Sequence, residues 1–552
     1  MTRLRQHPAI LARSILIIAI ALTYSPVLFA DFGGWDDAMN LTNNPDFQPP
    51  SLKNISRYWF HSAFDLYAPA TFTTWGAIST IAYRDDHLAP LPFHVANLLL
   101  HMLAALTAFE ILLQLNISIW PACIGGIVFA LQPLQVESVA WVSGLKDVLA
   151  GMLSLLAIFF YLKNASTRKP ILYFLATIAF ALAMLAKSSA VVVPAIAFIL
   201  DFFLAHRRFR DSLVFLLPWF FLTIPIILIG RHAQPAAFIG PAVPFLSRPL
   251  VALDAIAFYL WKLIWPATLG IDYGRTPQIV IVHGWQALTW FVPLLIIAII
   301  LWNRRIKWFA LAFAIFILAL APVLGFLPFD FQAYSTVADH YVYLAMLGPA
   351  IGIAFAIKSH HQIWPWIVCV IFASLSFAQT LTWKNAETIS QQAILANSNS
   401  WASHENLARY FVETGHPDEA IPHAQTAGQM NPQFAKAFDT LGQAHAMLRE
   451  FDLAEKAFHR AIEISPTDIV ARAALANMLV DEGKFEQALE QYRIALQIEP
   501  NNPANISNLA SVYAEMGQFD RAIALYDQAL SINPNFPAAK IGRQHVVDAM
   551  HR

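Results

Sequence analysis

Charge is scarce in this sequence: Asp, Glu, Lys and Arg make up 13% of the 552 residues, against 57% hydrophobic. A soluble domain carries about a quarter charged residues, so an ordinary water-soluble fold is excluded for most of the chain. Cysteine is rarer still. Cys123 and Cys369 both sit inside apolar runs, which excludes a disulfide framework and a cysteine-built metal site. A basic excess is also missing. With a formal net charge of -1, no part carries the electrostatic footprint of a nucleic-acid binder.

What is present is unevenly spread. From about Ser14 to Leu381 long apolar runs alternate with short polar loops, whereas Asn397 to Arg552 reads as soluble helix. The expected fold is all-α in two parts, a membrane helical bundle over 1–390 and a soluble repeat unit over 391–552. A bilayer-crossing helix needs about 20 mostly apolar residues. Segments near 14–30, 91–113, 120–134, 145–163, 171–187, 188–204, 212–230, 285–303, 308–327, 341–357 and 364–382 meet that pattern, about eleven spans in all. The first follows Arg3, Arg5 and Arg13, and its apolar run exceeds the ~7–15 residues of a signal peptide, so an uncleaved span is expected.

Positive residues collect on the cytoplasmic side of membranes. Arg3/Arg5/Arg13, Lys163/Arg168/Lys169, Arg207/Arg208/Arg210, Arg304/Arg305/Lys307 and Lys358 fall on one side if the spans are counted in order. Leu250–Pro266 must then not cross. It is apolar but holds Asp254 and Lys262, which suits a re-entrant or interfacial helix. The odd count puts a cytoplasmic N-terminus opposite the repeats, which then lie in the periplasm of a bacterium or a lumen of a eukaryote; residence in a bacterial inner membrane is the expectation. The loops 31–90, 135–144, 231–284 and 329–340 share that outer face.

The repeats are explicit. Pro432, Pro466, Pro500 and Pro534 recur every 34 residues, in register with Ala420/Ala454/Ala488/Ala522, Phe451/Phe485/Phe519, Leu407/Leu441/Leu475/Leu509 and Gly415/Gly483/Gly517. This period resembles the tetratricopeptide (TPR) family of helical hairpins. Alanine lets the two helices of a hairpin approach; proline stops the second. Four units, 399–432, 433–466, 467–500 and 501–534, and a capping helix are expected to form an α-solenoid with a groove for a peptide or partner helix.

The outer-face loops hold the reactive groups. Phe32-Gly33-Gly34-Trp35-Asp36-Asp37 puts adjacent carboxylates just outside the first span, costly near hydrocarbon unless used. By residue type alone they suit a general base, oxygen ligands for a divalent metal, or a solvated loop pair. Further on come Pro133-Leu134-Gln135-Val136-Glu137-Ser138-Val139-Ala140-Trp141-Val142-Ser143-Gly144-Leu145-Lys146-Asp147, then Leu185-Ala186-Lys187-Ser188 and Ala338-Asp339-His340-Tyr341. In this order, followed by TPRs, the chain resembles the transmembrane-and-TPR (TMTC-like, O-mannosyltransferase-related) proteins of the GT-C glycosyltransferase superfamily.

That resemblance implies an inverting transferase that moves a sugar from a polyprenyl-phosphate donor to a Ser/Thr hydroxyl on the outer face. Asp36 or Asp37 would match the acidic residue that assists the acceptor. A departing phosphate needs positive donors, for which Lys146, Lys187, Arg231, Arg275 and His340 are the candidates. Glu137 and Asp147 are carboxylates of the same region; Lys146 is equally able to pair with Asp147, and Glu137 to orient the sugar or pair with Lys146. His340 departs from the family pattern, where arginine often follows the aspartate, and Tyr67-Ala68-Pro69 lacks an expected Arg-Pro. His94 and His101 read as packing between spans. No cofactor is implied beyond a divalent metal at Asp36 and Asp37. Two rivals stand beside the protein-directed transferase: a non-catalytic TPR scaffold, and a transferase acting on a glycan or lipid.

Overall fold

The computed structural model describes residues 2–64, 66–85, 87–205, 209–233, 243–283, 287–303, 306–357 and 362–551. Arg207, Arg208, Arg304, Arg305 and Lys358, used above to orient the spans, lie outside the described residues, as do the side chains of Arg3 and Arg5. The chain divides into two compact units, Met1–Ser398 and Asn399–Arg552.

The first unit is built from apolar helices. Four are long and apolar enough to cross a membrane: Leu91–Gln114, Val142–Thr167, Phe209–Ala233 and Trp364–Leu381. A fifth candidate, Ile119–Leu131 plus Pro133–Ala140, is bent by 50°. Pro133 lacks the N–H that would continue the helix, and Gln132 before it is extended. Side-chain amides repair the break. Gln132 Oε1 accepts from the Leu134 N–H at 2.7 Å, and Gln135 Nε2 donates to the Phe129 carbonyl at 2.9 Å. In an apolar surrounding those groups have no water to turn to. Shorter apolar helices stand at the remaining expected spans, among them Pro170–Ala186 and Lys307–Val323.

Glycine sets the closeness of packing at two crossings. A Cβ on Gly348 would stand 2.4 Å from the Ala312 carbonyl oxygen, and one on Gly125 would stand 2.9 Å from that of Ala350. Small residues at such crossings let helix backbones meet. The Leu250–Pro266 segment is a helix, Arg248–Ile264, whose Asp254 and Lys262 are buried. Lys262 Nζ donates to the carbonyls of Ala267 and Thr268 at 2.6 and 3.2 Å.

The second unit consists of helix pairs. Trp401–Glu413 packs on Pro417–Met430, Ala435–Met447 on Phe451–Ile464, Ile469–Asp481 on Phe485–Ile498, and Pro503–Glu515 on Phe519–Ile532, with Pro537–Met550 last. Ala420, Ala454, Ala488 and Ala522 are wholly buried, as expected of hairpin contacts. Gly415, Gly483 and Gly517 turn each hairpin with φ of +81, +82 and +73°. A side chain disfavours that left-handed backbone. Arg449 occupies the same register position at φ +61° and is the one non-glycine among the four.

Candidate functional site

The reactive cluster is assembled by turns at the ends of helices. After the first helix, Gly34 and Trp35 take left-handed φ values of +70 and +47°, and this reversal leads into one turn of π-helix, Ala38–Thr42. Asp36 and Asp37 sit at its start. Their environments differ sharply. Asp37 is wholly buried; its Oδ2 accepts from the Gly33 N–H at 2.8 Å and its Oδ1 from the Ser143 N–H at 2.9 Å. Burial outweighs those bonds and pushes its carboxyl up to about 6. Asp36 keeps 40% of its side chain exposed and pairs with Lys146 Nζ at 3.2 Å.

The segment 136–147 supplies the opposite wall. The short helix Val136–Ala140 is followed by a turn over Val142–Gly144 and then by helix Leu145–Thr167. Gly144 has ordinary helical angles, so its need is steric: a Cβ there would stand 2.3 Å from the Ser138 carbonyl oxygen. That contact folds the turn back and aims Ser143, Lys146 and Asp147 at the first loop and at Lys187. Asn40 Nδ2 adds a bond to Ser143 Oγ at 3.2 Å.

Lysine and acid alternate through the cluster. Lys146 does not pair with its neighbour Asp147; it takes Asp36, while Asp147 takes Lys187. Each ammonium also lies 5.3 Å from an aromatic centroid, Lys146 at Trp141 and Lys187 at Tyr341. Glu137 does not pair with Lys146 either. Its Oε1 accepts from His340 Nδ1 at 2.5 Å and its Oε2 from the Asp339 N–H at 3.1 Å. Burial holds the His340 imidazole well below its usual value, with the nearby charges of Lys187 and Lys146 acting in the same direction. A neutral ring donating from Nδ1 satisfies Glu137. Asp147, Lys187, Ser189, His340 and Tyr341 border a cavity of about 30 Å³, room for one water.

Two sequence candidates are not brought here. The Arg275 guanidinium grips Asp254, with Nη2 at 2.5 and 2.7 Å from its two oxygens and Nε at 3.1 Å. Arg231 is exposed in the last turn of Phe209–Ala233. Sequence reasoning passed over three members of the network. Asp339 is buried and receives Tyr273 Oη at 2.8 and 2.9 Å. It lay inside a quoted motif, but Tyr273 lies in a segment with no pattern to mark it. Ser143 meets Asp37 through its backbone N–H, a contact that residue type alone does not reveal.

Among the described residues no three His, Cys, Asp or Glu side chains gather as a metal would require. Asp37 spends both oxygens on backbone N–H groups and Asp36 already faces an ammonium, so this donor set does not fit a resident divalent cation. His101 is likewise committed, to Tyr343 Oη at 2.8 Å and the Ala130 carbonyl at 3.1 Å.

Comparison with known proteins adds independent findings. Tetratricopeptide-repeat family models match residues 405–469 and 479–543. A protein O-mannosyl-transferase of Caenorhabditis elegans is 24% identical over 458 residues, covering 76% of this chain and 63% of that protein. The protein O-mannosyl-transferase TMTC2 of Mus musculus is 28% identical over 309 residues, covering 48% and 36%. Human TMTC1, also named a protein O-mannosyl-transferase, is 22% identical over 511 residues, covering 78% and 56%. The chain thus spans 36 to 63% of the length of the first two. A thermophilic TPR protein of Thermus thermophilus is similar at 19% identity and a TM-score of 0.28, covering 33% of this chain and 96% of that one.

Proposed function

We propose, from the premise that this chain is a TMTC-like relative of the protein O-mannosyl-transferases, that it is a membrane glycosyltransferase acting on a protein acceptor. The observation that carries the site assignment is the contrast between adjacent aspartates. Asp37 is enclosed and locks the first loop to Ser143, whereas Asp36 is exposed beside Lys146. Asp36 is therefore our choice for the group that meets an incoming hydroxyl.

In this reading the donor is a polyprenyl-phosphate sugar and the cluster faces the outer side of a bacterial inner membrane. The Ser/Thr oxygen attacks the anomeric carbon, its proton passes to Asp36, and the carbon–oxygen bond to the lipid phosphate breaks with inversion. The phosphate leaves with the bonding pair. Lys146 and Lys187 each use one N–H on a carboxylate and retain others for that phosphate. Glu137 orients His340, whose ring borders the same cavity as Lys187. Arg275 and Arg231 have no part in this mechanism. The repeats hold the acceptor; being on the same chain, they raise its effective concentration at the cluster.

Intact-mass analysis of envelope proteins tests the reading, with wild type, Asp36→Asn and Asp37→Asn compared at equal expression. Loss of a hexose-sized increment from an envelope protein in Asp36→Asn is the expected result. Unchanged masses in both variants would sink it and bring the scaffold reading forward.

A further inference from the structure

Part of the first loop has a surface that neither the fold nor the cluster explains. Between Phe47 and Phe64 the sequence holds no Asp or Glu, although Asp46 and Asp65 flank the stretch. Its apolar side chains are not tucked away. Leu52 is 87% exposed and Phe60 80%, and Trp59 and Phe64 also stand out. Lys53 and Arg57 are exposed among them. A single exposed leucine needs no account, but four large apolar side chains in one short loop do.

The backbone beneath them is held firmly. Ile55, on the short helix Leu52–Ser56, presses on Gly76, where a Cβ would stand 2.3 Å from Ile55 Cδ1. Trp59 Nε1 donates to Thr73 Oγ1 at 3.0 Å, and Tyr67 Oη to the Trp59 carbonyl at 3.1 Å. Gly76 and Thr73 belong to helix Pro69–Ala82, whose Thr71 Oγ1 donates to the Ala186 carbonyl at 2.8 Å. Ala186 ends the apolar helix Pro170–Ala186. The loop is thus pinned at the mouth of an expected span, the depth at which hydrocarbon gives way to headgroups.

Polar contacts run inward from the same stretch. Tyr58 Oη donates to Asp46 Oδ2 at 2.6 Å and accepts from Asn44 Nδ2 at 3.1 Å; that amide also donates to the Asn40 carbonyl at 3.1 Å. Asn40 in turn bonds Ser143, whose N–H holds Asp37.

We propose that Leu52–Phe64 is seated in the headgroup zone of the bilayer, with Leu52 and Phe60 dipping toward the acyl chains and Lys53 and Arg57 on anionic lipid phosphates, and that this seat sets the height of the Asp36 loop. Apolar and aromatic side chains interleaved with cations, with no acid among them, are complementary to an anionic lipid surface. Arg57 gives one N–H to Asp46 and keeps others for a phosphate. The inference rests on reading Pro170–Ala186 as a span and not on any transfer reaction, so it stands or falls apart from catalysis.

The test uses the full chain in vesicles of phosphatidylcholine and phosphatidylglycerol. Cys123 and Cys369 are buried, so a nitroxide can be attached at one added cysteine. At Phe60→Cys and at Leu52→Cys, oxygen, which concentrates in lipid, should relax the label more than a water-soluble nickel chelate does. The order should reverse at Glu463→Cys, on the exposed surface of the repeats. Lys53→Gln should shift the Phe60→Cys label toward water in these vesicles but not in phosphatidylcholine alone. A label at Met39→Cys, next to the two aspartates, should move toward water when Leu52→Asp and Phe60→Asp are combined; both sites are exposed, so the fold survives. Nickel access at Phe60→Cys equal to that at Glu463→Cys, shielding from both reagents (a protein covers the loop), indifference to Lys53→Gln, or an unmoved Met39→Cys label would each overturn the proposal.

Discussion

The two units hold themselves together over very different lengths of chain. In the membrane-type unit the polar contacts that matter join residues far apart in sequence: Asp37 to Ser143 across 106 residues, Asp36 to Lys146 across 110, and Glu137 to His340 across 203. In the repeat unit the buried contacts are near neighbours, as in Thr440 to Glu405 across 35 residues or Gln443 to Asp439 across four. Stability in a stacked array is close to a sum of repeat and nearest-neighbour terms. Damage there stays local. In the first unit one broken contact releases segments from distant parts of the chain, so the same chemical change should cost more and spread further.

Asp37→Ala is the severest test of that contrast. It leaves the Gly33 and Ser143 N–H groups buried without an acceptor, about 1–3 kcal/mol each, partly offset by removing a buried charge. A marked fall in the thermal midpoint of the detergent-solubilised chain is expected, together with loss of any transferase activity. Gly144→Ala comes next, at about 1–3 kcal/mol or more, because the new methyl meets a backbone carbonyl that cannot swing away; the same melting assay measures it. A midpoint unchanged in both would show that the first loop and the 136–147 segment are not held as described.

Asp439→Asn works in the opposite direction. The carboxyl's folded value, about 6, lies above the ordinary 3.8, so folding favours its protonated form. Below about pH 4 the residue costs nothing; as pH rises through 6 the folded state loses stability. The variant should therefore exceed wild type by about 3 kcal/mol at pH 8 and by only about 1 kcal/mol at pH 4.5. Comparing urea midpoints of the repeat transition at the two pH values checks the sign. Asp36→Asn should lower stability by about 1 kcal/mol, the pair being partly exposed at Asp36 but nearly buried at Lys146 (13% exposed), and on the proposed reading remove transfer activity. Arg449→Gly has a comparably small effect, about 1 kcal/mol of stabilisation from relieving a left-handed side chain; a matching rise in the urea midpoint would confirm it.

The repeats were readable because a 34-residue period is a local signal: each proline, alanine and glycine has its reason within its own hairpin. Arg449 shows the limit, since tertiary packing held a left-handed turn where the sequence broke the glycine series. The apolar helices were readable from composition; the bend at Pro133, inside a segment read as the single span 120–134, was not. Of the candidate site, the positions of Asp36, Asp37, Glu137, Lys146, Asp147, Lys187 and His340 could be listed but not their pairing. Adjacent Lys146 and Asp147 are natural partners on a line, yet successive residues on a helix point to different sides, which sends each to a different element. Arg275 offered no hint that Asp254, in an apolar helix, would claim it. Nothing in the sequence marked Asp36 as exposed and Asp37 as enclosed, because the left-handed turn at Gly34 and Trp35 decides that.

One link in the first unit has a bearing on how the molecule is made. The Asp31 N–H donates to the Lys384 carbonyl at 2.8 Å, and Gly33 lies so close to Ile389 that a Cβ would stand 2.9 Å from its Cδ1. The loop bearing Asp36 is thus sealed by residues that leave the ribosome about 350 positions later. At roughly 5–20 residues per second that is a delay of some 20–70 s. Until then the first loop lacks its floor, and a nascent chain stalled before the last apolar helix cannot complete the cluster. The Asp36 cluster is therefore completed late in synthesis, just ahead of the repeats.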